Sequence, residues 1–259
     1  MNVSRNLIHV KPKHVTIVHM PEDTGRYIVI DGITGSSKST IVEEMRKWSQ
    51  SCGHSIFDLD KWCKEYHSIP RFEELNDMDV IFASEPTTAL IGKAIRNELS
   101  HGDKYSPHEL AHAFSLDRHI LANRLIVPAR KAGKLIIQSR SVSSSIAIQT
   151  MMDGGPSLEE LLALPGNAFC LEHAPDHLIL THIPPSVAQE RLAKRNHEDK
   201  GVFEKMDLLK KEAEVYYSKD FAEIFTSRGT RVHHFNANQS LEEMTGQAHQ
   251  LINSLLTHC

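Results

Sequence analysis

The sequence has few cysteines, no long apolar run and little excess charge of either sign. Its four cysteines, Cys52, Cys63, Cys170 and Cys259, include no CxxC pair. This spacing argues against a disulfide framework or a thiolate zinc site and predicts free thiols in a reducing compartment. No apolar stretch approaches the roughly 18 residues of a membrane span, and residues 1–25 lack the apolar core of a signal peptide. We therefore expect a cytoplasmic protein with no membrane partner.

The charge balance restricts the possible ligands further. The formal net charge is −4 and the isoelectric point is about 6.5. A large footprint on a nucleic-acid polymer usually needs a clear basic excess, so binding of such a polymer is not expected. A local basic pocket for phosphate groups remains compatible with this composition.

Short apolar runs alternate with longer helical patterns along the chain. The runs predict strands at 27–30, 55–59, 80–83, 135–137, 177–183 and 231–235. Helices are predicted at 38–52, 90–99, 107–132, 143–150, 185–195, on to about 222, and at 241–256. Residues 60–78 read as an insertion and 153–167 as loop. The alternation predicts a three-layer α/β fold, in which helices flank a mainly parallel sheet. The domain is expected at 26–259, after an N-terminal extension at 1–25 without an assigned role.

A Gly/Ser-rich loop joins the first predicted strand to the first predicted helix. Gly32–Thr40 reads GITGSSKST, close to the P-loop pattern G-x-x-x-x-G-K-[ST]. Backbone N–H groups of such a loop hold phosphate oxygens, the lysine reaches the β- and γ-phosphates, and the following serine binds Mg²⁺. The predicted ATP-phosphate site comprises Gly32, Ile33, Thr34, Gly35, Ser36, Ser37, Lys38, Ser39 and Thr40. Ser37 replaces the last glycine, at a cost of roughly 1–2 kcal/mol if its φ is positive.

With this loop in place, the chain from about Tyr27 to Leu256 resembles the thymidylate kinase family, especially its archaeal-type branch. The resemblance is carried by IVIDGITGSSKST at 28–40, SEPT and IGKAIR at 84–87 and 91–96, FSLDR at 114–118, QSRSVSSS at 138–145 with Gln149, and a lid-like segment at 191–207. It implies a P-loop NTPase fold with a helical lid. It also implies transfer of the ATP γ-phosphoryl group to a deoxynucleoside monophosphate, dTMP above all, to give dTDP.

The resemblance assigns roles to individual side chains, in a homodimer that uses ATP and Mg²⁺. Lys38, Arg140, Lys194 and Arg195 are the implied catalytic residues, with Arg140 on the acceptor phosphate and the other three on the donor and transferring phosphates. The implied acceptor site consists of Glu85, Phe114, Arg118, Arg140, Ser144 and Gln149. The Phe114 ring offers a face to the base, and the Gln149 amide can read an edge of the base that carries a donor and an acceptor.

The sequence departs from the family pattern at two acidic positions. The acid within the P-loop is replaced by Thr34, and the aspartate before the acceptor arginine is replaced by Ser139. Asp31 and Glu85, at neighbouring strand ends, are candidates to compensate, and Ser39 and Glu85 are the predicted Mg²⁺ ligands. Together with Ser37, these departures leave open a second hypothesis, a degenerate member that binds nucleotide without efficient transfer.

A motif of another class lies at 108–112, which reads HELAH. On a helix, His108 and His112 share a face and can bind Zn²⁺, with Glu109 as the general base of a hydrolase. The extended metallopeptidase pattern fails, because positions 115 and 118 are Ser and Arg. Zinc hydrolysis is therefore a remote alternative.

Overall fold

The computed structural model describes residues 25–101, 104–194 and 206–256. Within them a six-stranded sheet has the order β2-β3-β4-β1-β5-β6, and every neighbouring pair is parallel. The strands are β1 (Tyr27–Gly32), β2 (Ile56–Asp58), β3 (Val80–Ser84), β4 (Leu135–Ser139), β5 (His177–His182) and β6 (Arg231–Asn236). Each of the six predicted strands is present, and the predicted α/β fold class is confirmed.

Strand β1 lies between β4 and β5 and is buried along its whole length. Its β-branched run suits a strand covered on both faces, as expected for the interior of a parallel sheet. Ile30 is in register with Ser139 of β4, and Gly32 with Thr181 of β5. The carboxyl ends of the central strands therefore meet at one edge of the sheet, where open α/β sheets place their ligands.

Helices flank the sheet. They are α1 (Lys38–Ser51), α2 (Leu59–Tyr66), α3 (Leu90–Ala94), α4 (Pro107–Leu121), α5 (Val127–Lys131), α6 (Val142–Gln149), α7 (Leu158–Ala163), α8 (Pro165–Glu172), α9 (Pro185–Ala193), α10 (Met206–Tyr216), α11 (Lys219–Thr226) and α12 (Leu241–Leu255). Helices α3 and α4 continue as π-helical turns at Ile95–Leu99 and Ala122–Ile126. Helix α1 packs against α12, whereas α6 packs against α4 and α10.

Two segments are more ordered than the sequence suggested. Residues 60–78 contain most of α2 and a 3₁₀ helix at Phe72–Leu75, and Cys63 and Ile69 lie in the core. The segment predicted as loop at 153–167 contains α7 and the start of α8. Ser157 begins α7 with a capping box, in which its hydroxyl accepts from the Glu160 N–H. Pro165 is tolerated because it occupies the first turn of α8.

The prediction of free thiols is correct for two cysteines and wrong for a third. Cys63 and Cys170 are free, whereas Cys52 is disulfide-bonded. The absence of CxxC spacing does not exclude a disulfide, because its two cysteines can come from distant parts of a chain. Across the described ranges, no helix combines the length and the apolarity that a bilayer span requires.

Candidate active site at the carboxyl ends of the strands

The loop between β1 and α1 packs closely against α9 and β5. Gly35 adopts φ +83, and a Cβ placed there would lie 2.8 Å from the carbonyl oxygen of Ala188 on α9. Only glycine fits this position without strain. The Ser36 and Thr181 hydroxyls are hydrogen-bonded at 2.6 Å, which ties the loop to β5. Phosphate binding by the loop N–H groups and the start of α1 stays a prediction.

Lys38 and Ser37 form the carboxyl half of this loop. Lys38 is buried, and its Nζ donates to the carbonyl oxygens of Gly32 and Ile33 at 2.9 and 2.8 Å. These bonds hold the ammonium group inside the curve of the loop. Ser37 has φ 60 and ψ 33, so a serine occupies the left-handed conformation that a glycine favours. Ser39 follows, exposed on the first turn of α1.

Asp31 and Arg140 meet where β1 and β4 end. Asp31 is fully buried, and its carboxylate accepts from the hydroxyls of Ser144 and Tyr216 at 2.8 and 2.9 Å. Arg140 Nη1 lies 4.0 Å from Asp31 Oδ1 and 3.2 Å from Ser144 Oγ. Asp31 therefore supplies a carboxylate beside Arg140, although the residue before Arg140 is Ser139. Arg140 also has φ 65, a strained conformation of the kind that clusters at functional sites.

Glu85 and Arg118 form a buried ion pair beneath the same edge of the sheet. Arg118 Nε donates to Glu85 Oε2 at 2.8 Å, and the two side chains are 1% and 6% exposed, in the order Arg118 and Glu85. Arg118 also donates to Asn167 Oδ1, to Ser145 Oγ and to the Ser141 carbonyl. Burial raises the pKa of Glu85 to about 7, although the positive charge of Arg118 acts in the opposite direction.

Both carboxylate oxygens of Glu85 are engaged, since Glu85 Oε1 accepts from Gln138 Nε2 at 2.9 Å. In this arrangement Glu85 orients Arg118. Coordination of Mg²⁺ by Glu85 would have to compete with these bonds, and it stays a prediction.

A cavity of about 310 Å³ opens between these groups, within the size range of small-ligand sites. It is lined by Thr34, Glu85, Pro86, Ile95, Arg96, Ser100, Leu110, Phe114, Arg118, Arg140, Ser141, Ser144, Ser145, Ile148, Gln149 and Met152. All six residues predicted for the acceptor site are thus brought together around one cavity that also touches the P-loop.

Gln149 carries an unsatisfied acceptor in the wall of this cavity. Its side chain is 3% exposed, and its Oε1 has no hydrogen-bond partner within the described part of the chain. A buried polar atom without a partner costs free energy, which a ligand that donates a hydrogen bond would recover once the Gln149 amide turns toward the cavity. Phe114 is half-buried on the same wall and offers an apolar surface.

The predicted lid residues are described only in part. Lys194 is exposed where α9 ends, beyond the lining of the cavity. Arg195 and most of the predicted lid lie outside the described residues. The roles of Lys194 and Arg195 in transfer stay predictions.

The HELAH motif has a structural explanation. Ser106 and Glu109 form a capping box at the start of α4, and Glu109 Oε2 accepts from the Ser106 N–H at 2.7 Å. His108 and His112 are exposed on this helix. No three metal-ligating side chains cluster in the parts of the chain that the structure describes. Among the described residues, nothing in the geometry favours zinc hydrolysis.

Sequence reasoning missed several residues that shape the site. Asp117 is buried and accepts from the N–H and hydroxyl of Thr87, which fixes the turn after β3. Arg96, inside the quoted IGKAIR segment, lines the cavity and donates to the Pro86 carbonyl. The place of Arg96 in the IGKAIR motif is the sequence signal that could have identified it as a site residue. No sequence pattern singles out Glu212 of α10, whose carboxylate contacts Thr34 of the loop.

Comparisons with known proteins agree with this geometry. The thymidylate kinase family model matches residues 69–248. A thymidylate kinase of Desulfotalea psychrophila is 28% identical over 225 residues, which cover 87% of this chain and 93% of that protein. A probable thymidylate kinase of Thermococcus kodakarensis is 28% identical, over 89% and 98% of the two chains, and one of Pyrococcus abyssi is 29% identical, over 90% and 97%. The protein with this site is a member of the thymidylate kinase family.

Proposed function

We propose that the protein transfers the γ-phosphoryl group of ATP to the 5′-phosphate of dTMP, giving dTDP and ADP. The observation that carries this proposal is the cavity beside the P-loop, which is lined by both Arg140 and Gln149. A nucleoside monophosphate presents an anionic phosphate, which suits the Arg140 guanidinium, and a polar base edge, which suits the Gln149 amide.

The donor side of the site fits the triphosphate of ATP. Lys38 lies inside the curve of the loop, and loop N–H groups beside it would bind phosphate oxygens of the donor. The Lys38 ammonium would exchange its carbonyl partners for phosphate oxygens when ATP binds. The exposed Ser39 hydroxyl would hold Mg²⁺, which neutralises charge on the donor phosphates.

The acceptor side fits a pyrimidine with an imide N–H. Thymine presents an N3–H donor, which the Gln149 Oε1 can accept, whereas cytosine presents an acceptor there and requires the amide to turn so that its Nε2 faces the base. Phe114 would pack against the ring of the base. Arg140, oriented by Asp31 and Ser144, would hold the 5′-phosphate with its guanidinium group.

The arrangement suits transfer by positioning and charge stabilisation. An oxygen of the dTMP phosphate forms the new bond to the γ-phosphorus as the bond to the ADP oxygen breaks, and the phosphoryl group passes between Lys38 and Arg140. Their positive charges stabilise the negative charge that is spread over the transferring group. Lys194 and Arg195 would approach from the lid when it closes.

The test is a turnover and thermal-shift panel with dTMP, dUMP, dCMP, dGMP and dAMP in the presence of ATP and Mg²⁺. We expect dTMP turnover above about 1 s⁻¹, the low end of typical enzymes, and loss of turnover in Lys38→Ala. Stabilisation by dTMP without turnover would instead identify the degenerate, nucleotide-binding alternative. We also propose that the protein is cytoplasmic and forms a homodimer. Light scattering of the full chain measures its mass and so tests the homodimer.

A further inference from the structure

Glu212 on α10 is a buried carboxylate that faces the P-loop. Its side chain is 0% exposed. Its Oε2 accepts from the Thr34 N–H at 2.8 Å, and its Oε1 accepts from the Thr34 hydroxyl at 3.3 Å. Both carboxylate oxygens of Glu212 therefore accept hydrogen bonds from Thr34, which lies 178 positions earlier in the sequence.

The loop has no carboxylate of its own, since Gly32–Thr40 contains neither aspartate nor glutamate. Glu212 lies in the electrostatic field of the two cations that flank the transfer path. Burial raises the pKa of Glu212, whereas the Thr34 N–H and the charges of Arg140 and Lys38 lower it. Burial outweighs these effects, so the pKa of Glu212 is raised overall.

The same helix also reaches the acceptor wall. Tyr216 lies one turn after Glu212, and its hydroxyl donates to Asp31 Oδ1 at 2.9 Å and lies 3.2 Å from Ser144 Oγ. Residues four apart share one helix face, so a single face of α10 contacts both the P-loop and the groups that orient Arg140. A rigid helix with two such contacts fixes the distance between the donor and acceptor halves.

We propose that Glu212 is a positioning residue of the transfer reaction, which fixes the P-loop at Thr34 through two charge-assisted hydrogen bonds from α10. Thr34 lines the acceptor cavity, so a shift at Thr34 moves the loop relative to the bound acceptor. In-line transfer depends steeply on such placement. The kinetic part of this inference rests on the proposed function.

Four variants distinguish the effect of the Glu212 charge from the effect of its side-chain packing. Glu212→Gln keeps the shape of the side chain and its capacity for hydrogen bonds, and it removes the charge. Adding Thr34→Asp to Glu212→Gln returns one carboxylate to the same place, now from the loop, beside the new amide donor on α10. Adding Thr34→Asn instead is the neutral control. Glu214→Gln makes the same chemical change at an exposed position of α10 and should behave as wild type.

We expect Glu212→Gln to lower kcat about tenfold or more, with a smaller change in KM for dTMP and an unchanged melting temperature. Thr34→Asp should restore most of that loss, and Thr34→Asn should not. The inference is overturned if Glu212→Gln keeps kcat within about twofold of wild type, or if Asn at 34 restores kcat as well as Asp does.

ATP affinity is measured by calorimetry without an acceptor. This measurement distinguishes failure of the Glu212 inference from failure of the proposed function. If the wild-type protein turns over no deoxynucleotide, the proposed function fails, but the Glu212 contact is still tested. Glu212→Gln should then weaken ATP binding about fivefold, and Thr34→Asp should recover it. An ATP affinity that is equal in wild type and Glu212→Gln would overturn the inference in that case.

Discussion

Arg191 donates from Nη1 to the hydroxyl of Ser37 at 2.9 Å, which joins α9 to the residue that replaces the last glycine of the P-loop. Ser37 keeps the left-handed conformation at φ 60 although it has a Cβ. The serine hydroxyl gains a partner that a glycine could not offer. The substitution therefore preserves the loop geometry, and it does not by itself indicate a degenerate site.

The Ser37 conformation gives the first prediction. Ser37→Ala keeps the strain and loses the bond to Arg191, whereas Ser37→Gly loses the bond and relieves the strain. We expect the glycine variant to be the more stable of the two by about 1 kcal/mol, in free energy of unfolding from urea denaturation. Ser39, on the first turn of α1, is the matched control, because alanine should be more stable than glycine there. The same order at both positions would contradict strain at Ser37.

The buried pair of Glu85 and Arg118 gives the second prediction. Arg118→Met should lower the free energy of unfolding by about 3–5 kcal/mol, because it leaves the Glu85 carboxylate buried without its cation. Adding Glu85→Gln should recover at least about 1 kcal/mol, although it removes a further native group. Urea denaturation at pH 8 suits this test, because loss of the Arg118 charge raises the pKa of Glu85 further and the cost of burying this group grows as the pH rises toward that pKa. A double variant less stable than Arg118→Met would show that Glu85 contributes through other contacts.

Most of the sheet could be predicted from the sequence, because its signals are local. A strand buried on both faces requires a short β-branched run, such as Tyr27–Gly32, and the alternation with helices predicts parallel pairing. Helix starts in polar segments were less visible. Leu59–Tyr66 and Leu158–Ala163 are short helices that begin at Asp58 and Ser157 caps, and their polar residues resemble loop sequence.

The candidate site likewise contains some residues whose placement could be predicted from local sequence signals and others whose contacts could not. Lys38 and Arg140 follow the paired strands β1 and β4, so their placement at the same edge of the sheet could be predicted from the pairing of parallel strand ends. The Glu212–Thr34 and Asp31–Arg140 contacts could not, because they depend on how α10 packs and on where long side chains point. Contacts between residues that are far apart in the chain produce no motif or regular spacing that a single sequence reveals.

His177 gives a prediction for pH dependence. Its Nδ1 lies 3.0 Å from His233 Nε2, and burial, together with His233, lowers the pKa of His177 to about 4. The unfolded chain therefore binds more protons than the folded one between about pH 6.5 and pH 4, so stability from this group is complete above that range and is lost as the pH falls through it.

The comparison is between wild type and His177→Leu, by urea denaturation at pH 7.5 and pH 5. The loss of stability on acidification should be smaller in the variant, by an amount no larger than about 3 kcal/mol. Glu85, whose pKa is raised, acts in the opposite direction over part of this range, so the difference between the two proteins is the informative quantity. An equal loss in both proteins would show that His177 does not titrate differently on folding.

The two buried glutamines of the site give the last prediction. Gln138 is fully used, since its Oε1 accepts from Tyr27 and its Nε2 donates to Glu85 and to the Arg140 carbonyl. Gln149 keeps an unsatisfied Oε1 at the cavity wall. Replacement by leucine should therefore have opposite consequences for stability at the two positions.

Gln138→Leu should destabilise the fold by about 2 kcal/mol or more, because it leaves buried partners unpaired. Gln149→Leu should leave the free energy of unfolding unchanged or raise it by about 1 kcal/mol, because it removes an acceptor that has no partner in the described chain. The same Gln149 variant should lower kcat/KM for dTMP at least tenfold, roughly the scale for losing a specific base contact, and should reduce the preference for dTMP over dCMP. If Gln149→Leu instead destabilised the protein and kept its preference for dTMP, then Gln149 would be a packing residue, and the base would have to be read by another wall of the cavity.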